Sequence, residues 1–252
     1  MPSVSIIMSY YKKKEYLNKT INSVLKQTFK KFEIILVDDE ISKESIHLLN
    51  KIKKKSKKIK VIESTRNLGA GKARNLAINN SSGDYLAFCD CDDLWKKDKL
   101  KKQLNFMLKN NLDFSHTSYD IIDQDGLKIG LRKAKKNLSY NNLIDSCDIG
   151  LSTVIFKKKL FDNKNYKFPN LKTKEDYVLW LKFAKKGIKL NGINKYLTCW
   201  RSCSNSLSSN NFQKLLDGYK VYNVYLKFSK LQSIYKLLVL SMNSIKKKYG
   251  RF

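Results

Sequence analysis

Three carboxylates lie within four positions of the sequence, directly behind the apolar run at residues 85–88. They belong to Asp90, Asp92 and Asp93. Acids this close together repel and raise one another's pKa unless a cation lies between them. Carboxylate oxygens suit Mg²⁺ or Mn²⁺ better than zinc, so the cluster predicts a divalent-metal site. The alternative is a capping turn in which Asp93 is the N-cap of the helix that follows.

Polar residues also follow two other apolar runs. Ser9 and Tyr11 come after the run at 3–8, and Asp39 lies near the end of the run at 32–40. Strand and helix alternate at short intervals here, which predicts βαβ units and a parallel sheet. Ligands bind beyond the carboxyl ends of the strands in such sheets. We therefore expect polar groups from three strands to meet in one crevice.

The elements that must position these residues follow from hydrophobic spacing. The predicted class is α/β, with a Rossmann-like, mostly parallel sheet flanked by helices. We expect one continuous domain over 1–211 and an amphipathic, basic helical tail over 212–252. The predicted strands cover 3–8, 32–40, 59–64, 84–90, 112–123 and 151–158. The predicted helices cover 16–29, 41–58, 67–83 after an opening loop, 96–110, and 172–187 with Gly187 as C-cap.

The charge of the chain is strongly unbalanced. It has 51 Lys and Arg against 22 Asp and Glu, a formal net charge of +29. Such a surface favours anionic partners: nucleic acid, anionic lipid or a phosphate-bearing substrate. The alternative is an AT-rich genome, which over-supplies Lys, Asn and Ile. A nucleic-acid-binding protein is the rival function, but the lysines are spread along the whole chain without a recognised module. We therefore expect no nucleic-acid partner.

The location of the protein is predicted from its start, its apolar runs and its cysteines. The first lysines follow the first apolar run, unlike those of a secretory signal. No run approaches the roughly 18–20 apolar residues that a membrane span needs. Five cysteines without CxxC pairs fit a reducing compartment. We expect a cytoplasmic protein. A zinc site from Cys89, Cys91, Cys199 and Cys203 is disfavoured by their spacing.

Four segments occur in a recognisable order: residues 3–40, "NLGAGKARN" at 67–75, "YLAFCDCDDLW" at 85–95 and "KEDYVLW" at 174–180. Together they resemble family 2 of the nucleotide-sugar glycosyltransferases, over residues 3–205. The resemblance implies the GT-A fold, with a nucleotide-binding half over 1–95 and an acceptor half over 96–211. It implies inverting transfer from a UDP-sugar to a glycan or lipid-linked saccharide acceptor. The implied setting is bacterial polysaccharide, O-antigen or lipooligosaccharide assembly.

The resemblance also implies roles in nucleotide binding, position by position. Ser9 and Tyr11 match the first loop, which holds uracil and ribose. Asp39 matches the carboxylate that accepts the uracil N3 proton. Arg74 matches the segment that reaches the nucleotide and its phosphates.

The remaining implied roles concern the metal and the chemistry. Asp90 and Asp92 match the DxD motif, with Asp92 the direct ligand of a Mn²⁺ or Mg²⁺ ion that bridges the diphosphate. Arg201 would help to neutralise the leaving group, which is chemically sensible for a departing diphosphate. Asp176 matches the catalytic base, and its neighbour Glu175 completes the Glu-Asp motif as a substrate-binding residue. Inverting transfer needs one such base. The alternative for Asp176 is an N-cap or first-turn acid.

Three positions depart from the family's usual pattern. Lys12 stands where Asn is common, Glu40 and Ile41 stand where Gly-Ser is frequent, and Trp200 replaces Tyr in a Tyr-Arg pair. The first two concern nucleotide contact. A non-catalytic, nucleotide-binding member is a second rival, but the acids of the motifs are all retained.

The C-terminal tail closes with "IKKKYGRF". A basic amphipathic helix favours peripheral contact with an anionic membrane, which for this protein would be the inner face of the cytoplasmic membrane. The alternative is an ordinary solvated lysine face.

Overall fold

The structure is a computed structural model that describes residues 2–163, 165–203 and 210–249. Its described strands form one mixed sheet. They are β1 (Val4–Tyr10), β2 (Phe32–Asp38), β3 (Ile59–Glu63), β4 (Tyr85–Phe88), β5 (Leu94–Trp95), β6 (Phe114–Ile122), β7 (Lys128–Arg132), β8 (Asn137–Leu138), β9 (Ile155–Lys157) and β10 (Leu190–Arg201).

The strand order is β3-β2-β1-β4-β9-β6-β10-β5, with β7 beside β6 and β8 beside β10. The strands β3, β2, β1 and β4 are mutually parallel. Strand β9 is antiparallel to both β4 and β6, which brings β6 and its parallel neighbour β10 back into the first direction. The carboxyl ends of β1, β2 and β4 therefore share one edge, as the sequence predicts.

Helices cover both faces of the sheet. They are α1 (Lys14–Leu25), α2 (Lys43–Lys53), α3 (Ala70–Asn79), α4 (Lys99–Lys109), α5 (Tyr140–Ile144), α6 (Glu175–Lys185), α7 (Asn211–Lys220) and α8 (Lys230–Tyr249). Residues of α1, α2 and α4 pack in one buried cluster, and residues of α3, α6 and α8 pack in the other. Alternate side chains of β1, such as Ile6 and Ile7, enter opposite clusters. Burial on both faces explains why β1, β2 and β4 are continuous apolar runs.

The predicted α/β class with a mostly parallel sheet is confirmed. The predicted strands correspond to β1–β4, β6 and β9. The last of them is shorter than predicted, because residues 151–153 form a 3₁₀ turn before β9. The sequence prediction missed β5, β7, β8, β10 and α5.

The predicted C-terminal helix is present as α7 and α8, separated by a π-helical turn at Val221–Tyr225 and a short connection. Within the described ranges, no helix is both long enough and apolar enough to cross a membrane. Residues 250–252 of the basic terminus lie outside the described residues. The predicted boundary after residue 211 stays a prediction.

Candidate active site

The three strand ends meet at one edge of the sheet. The backbone N–H of Asp39, after β2, donates to the carbonyl of Tyr10 at the end of β1 (2.9 Å). The thiol of Cys91, in the loop after β4, donates to the carbonyl of Ser9 (3.2 Å). The predicted convergence of polar groups from β1, β2 and β4 is therefore observed.

Residues 90–93, which we call the acid loop, follow β4 in a tight turn that does not cap a helix. The N–H of Asp93 donates to the carbonyl of Asp90 (3.1 Å), and the N–H of Asp90 donates to Ser152 Oγ (3.0 Å). The expectation that Asp93 caps the following helix is wrong, because residues 94–95 form β5 and α4 begins at Lys99. Asp93 instead accepts the N–H of Arg201 (2.8 Å).

Two acids of this loop each pair with a side-chain cation. Lys13 Nζ is 2.8 Å from Asp92 Oδ2, and Arg74 Nη2 is 2.8 Å from Asp90 Oδ1. Burial and the neighbouring Asp90 raise the pKa of Asp92, although Lys13 opposes them. The ammonium of Lys13 and the guanidinium of Arg74 thus offset the repulsion between the acids that the sequence predicts.

The acid pair fits a hard divalent cation. The side chains of Asp92 and Asp90 are 14% and 34% exposed, so solvent reaches both carboxylates. No group of three or more His, Cys, Asp or Glu suited to a metal occurs in the described part of the chain. Mg²⁺ sites commonly use one or two carboxylates and take further oxygens from water and substrate phosphates. Two carboxylates therefore suffice as the protein ligands of such a site.

Arg74 joins the acid loop to the second half of the chain. It is buried on α3, and its guanidinium also donates to Glu175 at the start of α6. The approach of the two segments is tight at Gly71, where a Cβ atom would lie 2.5 Å from the carbonyl oxygen of Pro169. Gly71 thus lets α3 and the segment before α6 pack closely enough for Arg74 to bridge Asp90 and Glu175.

Asp176 lies in the first turn of α6, next to this bridge. The N-cap position belongs to Lys174, which has a left-handed backbone (φ 62°), so Asp176 is not the N-cap, whereas the alternative of a first-turn acid agrees with its position. Its Oδ1 accepts the N–H of Tyr177 (2.7 Å). Desolvation and the adjacent Glu175 raise the pKa of Asp176 to about 7, against the opposing charge of Arg74. A carboxylate with that pKa exchanges protons readily near neutral pH.

Asp39 organises the loop that precedes α3. Its carboxylate accepts the N–H groups of Leu68 (2.6 Å) and Gly69 (2.9 Å), and it is buried. Gly69 has φ +80°, a conformation that favours glycine. Burial raises the pKa of Asp39 although both N–H groups oppose the rise. A carboxylate has about four lone-pair sites, so two remain for a further donor. Its predicted contact with uracil stays a prediction.

The first-loop residues border the same edge. Ser9 is half-buried, whereas the Tyr11 ring is exposed, with Lys12 Nζ 5.4 Å from its centroid. Two departures from the family pattern contact each other here, because the N–H of Lys12 donates to Glu40 (2.9 Å). Ile41 adopts φ 61°, a strained region for a β-branched residue.

Arg201, at the end of β10, is buried among main-chain carbonyls. Its Nε donates to the carbonyl of Asp92 (2.9 Å), and its Nη1 donates to the carbonyls of Asp123 and Gln124 (both 2.8 Å). The first contact connects the acid loop to β10, and the other two connect residues 123–124 to the same side chain. The predicted role of Arg201 toward a diphosphate stays a prediction, and residues 204–209 of its segment lie outside the described residues.

Two residues of the site were not singled out by the sequence. Lys13 belongs to a run of three lysines that resembles an ordinary solvated loop. Ser152, which accepts from the acid loop, has no distinguishing signal in the sequence. The sequence does place Lys13 shortly after β1 and three acids shortly after β4, and this was the one signal that could have identified Lys13 as their partner.

The sequence is similar to that of known glycosyltransferases. Residues 5–170 match the family described as "Glycosyl transferase family 2". The chain is 33% identical to the "Putative teichuronic acid biosynthesis glycosyltransferase TuaG" of Bacillus subtilis (strain 168), over 98% of each chain. It is 34% identical to the Escherichia coli "UDP-Glc:alpha-D-GlcNAc-diphosphoundecaprenol beta-1,3-glucosyltransferase WfgD", over 97% of this chain and 94% of that one.

Two solved structures show the same fold. The S. aureus protein TarS, residues 1–349 in complex with UDP-GlcNAc, superposes with a TM-score of 0.73 at 23% identity, covering 99% of this chain and 74% of that one. The mannosyltransferase PcManGT from Pyrobaculum calidifontis, in complex with GDP-Man and Mn²⁺, gives a TM-score of 0.70 at 13% identity, covering 100% and 76%.

Proposed function

This chain belongs to glycosyl transferase family 2, with the GT-A fold, and we propose that it transfers a sugar from a UDP-sugar to a glycan or lipid-linked saccharide with inversion at the anomeric carbon. The observation that carries the proposal is the bridge made by Arg74. It ties Asp90, after β4, to Glu175, whose neighbour Asp176 has a pKa of about 7. The residues that we propose for donor binding and for base catalysis are thereby linked through one side chain.

The proposed substrate classes rest on the relatives and on Asp39. One relative is named for UDP-glucose and a diphosphoundecaprenol-linked acceptor, and another for teichuronic acid biosynthesis. Asp39, with unused lone pairs at the strand edge, is suited to accept a hydrogen bond from the N3–H group of uracil. We extend these classes to this chain, in bacterial polysaccharide or lipid-linked glycan assembly on the cytoplasmic side of the membrane.

The proposed step moves one proton and exchanges one bond. Asp176 takes the proton of the acceptor hydroxyl while that oxygen bonds to the anomeric carbon from the face opposite the leaving group. The bond between the anomeric carbon and the diphosphate oxygen breaks, and UDP leaves with the electron pair. A divalent cation held by Asp92 and Asp90 would supply charge neutralisation for this leaving group. Arg74 keeps Asp90 and Glu175 in place around the reacting groups.

Release of UDP from a panel of UDP-sugars tests the proposal, with thermal stabilisation measured in parallel with and without Mn²⁺. We expect at least one UDP-sugar to be hydrolysed or to stabilise the protein in a Mn²⁺-dependent manner. Asp92→Asn should remove that dependence while leaving the fold intact, because burial and the charge of Asp90 disfavour the Asp92 carboxylate more than its pairing with Lys13 favours it. Asp98→Asn removes the same charge outside the crevice and serves as the matched control. Equal Mn²⁺ responses of the two variants would contradict the metal assignment.

A further inference from the structure

Helix α8 exposes a continuous row of large apolar side chains. They recur at helical spacing along one side of a 20-residue helix, which is about 30 Å long. We call them the apolar stripe of α8: Leu231, Ile234, Tyr235, Leu238, Met242 and Ile245. Lys230 and Lys246, both exposed, flank the stripe on the helix surface. Helix α7, packed against α8, exposes Phe212, Leu215 and Leu216 at the same kind of spacing.

The opposite side of α8 is fixed to the protein by polar contacts. Lys236 pairs with Asp145 (2.8 Å), and Asn243 donates to the carbonyl of Asp145 (2.8 Å). Lys247 pairs with Asp148 and also donates to Ser146. These contacts fasten α8 to the loop 145–148. Two lysines of the basic tail are thus engaged with the protein, and the alternative of a solvated lysine face stays open for the others.

The loop 145–148 borders the proposed base. Cys147 of this loop lies close enough to the carboxylate of Asp176 for the two groups to interact electrostatically. Tyr177, the next residue after Asp176, donates its hydroxyl hydrogen to the carbonyls of Leu143 and Ile144 (2.8 Å each), directly before the loop. One face of α8 therefore supports the acceptor side of the crevice while the other face stays apolar and exposed.

We propose that α8 lies in the plane of an anionic lipid bilayer, with its apolar stripe in the boundary between headgroups and acyl chains, and thereby holds the Asp176 side of the crevice at the membrane surface. The second part rests on the proposed function, because a lipid-linked acceptor is confined to that surface. A helix with an apolar face, flanking lysines and low overall hydrophobicity is typical of interfacial helices.

The charge of the protein favours a bilayer over a second copy of the chain. Two chains that each carry a formal charge of +29 repel each other, whereas anionic headgroups attract the lysines beside the stripe. A patch of this size is also larger than the single exposed apolar residues that monomers normally carry. An anionic membrane complements both the apolar stripe and its basic border.

Flotation with vesicles tests the proposal on the full chain, using phosphatidylcholine alone and phosphatidylcholine with one quarter phosphatidylglycerol. We expect binding to the phosphatidylglycerol vesicles that weakens as salt rises, because the lysine contribution is screened. The double variant Leu238→Glu/Met242→Glu changes two side chains that are 58% and 57% exposed. It should bind at least about tenfold more weakly, since it places charge in the apolar boundary.

The control variant Leu127→Glu/Ile129→Glu adds the same two charges at side chains that are 68% and 60% exposed, on and beside β7. It should bind vesicles like the unmodified protein, and both variants should keep its melting temperature and its affinity for UDP. Absent vesicle binding by the unmodified protein, or equal losses in both variants, would overturn the proposal. So would a dimer that the α8 variant converts to a monomer without any vesicle binding. The flotation assay contains no nucleotide sugar, so its outcome is separate from that of the donor screen.

Discussion

Asp176→Asn removes the proton acceptor while keeping the size of the side chain and its main-chain hydrogen bond. The amide keeps the size of the carboxylate and can still accept the N–H of Tyr177. It cannot take a proton from an acceptor hydroxyl. Loss of a general base typically lowers the rate by about 10²–10⁴-fold, which corresponds to about 3–5 kcal/mol of transition-state stabilisation. Donor affinity and melting temperature should stay close to those of the unmodified protein.

The pH dependence follows from the raised pKa. With a pKa of about 7, Asp176 is mostly protonated at pH 6 and mostly ionised at pH 8. Since only the ionised form acts as a base, kcat/KM should rise about tenfold between these two pH values and then level off. Glu175→Gln removes the adjacent like charge, so the rise of kcat/KM with pH should move to lower pH. In Asp176→Asn this rise of kcat/KM with pH should be absent.

The assay is transfer to an acceptor at a series of pH values, with UDP-sugar binding measured separately by calorimetry. Retention of transfer within about tenfold in Asp176→Asn would show that another group is the base. Loss of donor binding would show that Asp176 holds substrate instead. A pH profile that Glu175→Gln does not shift would refute the contribution of Glu175 to the raised pKa of Asp176.

Three further predictions use other groups near the sheet. Burial lowers the pKa of Lys99 to about 7 from 10.5, so the unfolded chain binds more protons between these values and stability rises with pH. Lys99→Met should therefore raise the free energy of unfolding at pH 7, by about 4 kcal/mol at most, and much less at pH 10. Denaturant titration at both pH values checks this, and equal gains would contradict it. Lys13→Met should tighten Mn²⁺ binding at Asp92 about tenfold without nucleotide, since a competing ammonium is removed. Manganese titration followed by electron paramagnetic resonance measures it, and a response equal to that of Lys14→Met would refute it. Asp39→Ala should weaken UDP binding in calorimetry, and equal affinity of the unmodified protein for UDP and GDP would remove the uridine assignment.

Local pattern was sufficient for the first half of the fold. Strands β1, β2 and β4 are buried on both faces, so they appear as uninterrupted apolar runs that end in polar residues. Strand β10 was missed because Asn191, Gly192, Asn194 and Lys195 interrupt any apolar alternation. It forms through long-range pairing with β6, across two register shifts. Such pairing overrides local propensity.

The acids of the site were found from the sequence, but their pairing with Lys13 and Arg74 was not. Asp90, Asp92 and Asp176 stand out as clustered or motif-matched carboxylates. Lys13 does not, because nothing in a run of lysines shows which one turns toward an acid. The bridge from Arg74 to two acids depends on tertiary packing between α3 and α6, which hydrophobic spacing cannot reveal.

The position of β9 has a consequence for synthesis of the chain on the ribosome. Strand β4 pairs with β1 on one side and with β9 on the other, although β9 comes much later in sequence. Ribosomes add about 5–20 residues per second, so the outer edge of β4 stays unpaired for several seconds after it emerges. That edge is short, apolar and rich in aromatic residues, which makes it a template for wrong pairing. Newly made chains should therefore depend on chaperones most strongly between the emergence of β4 and that of β9.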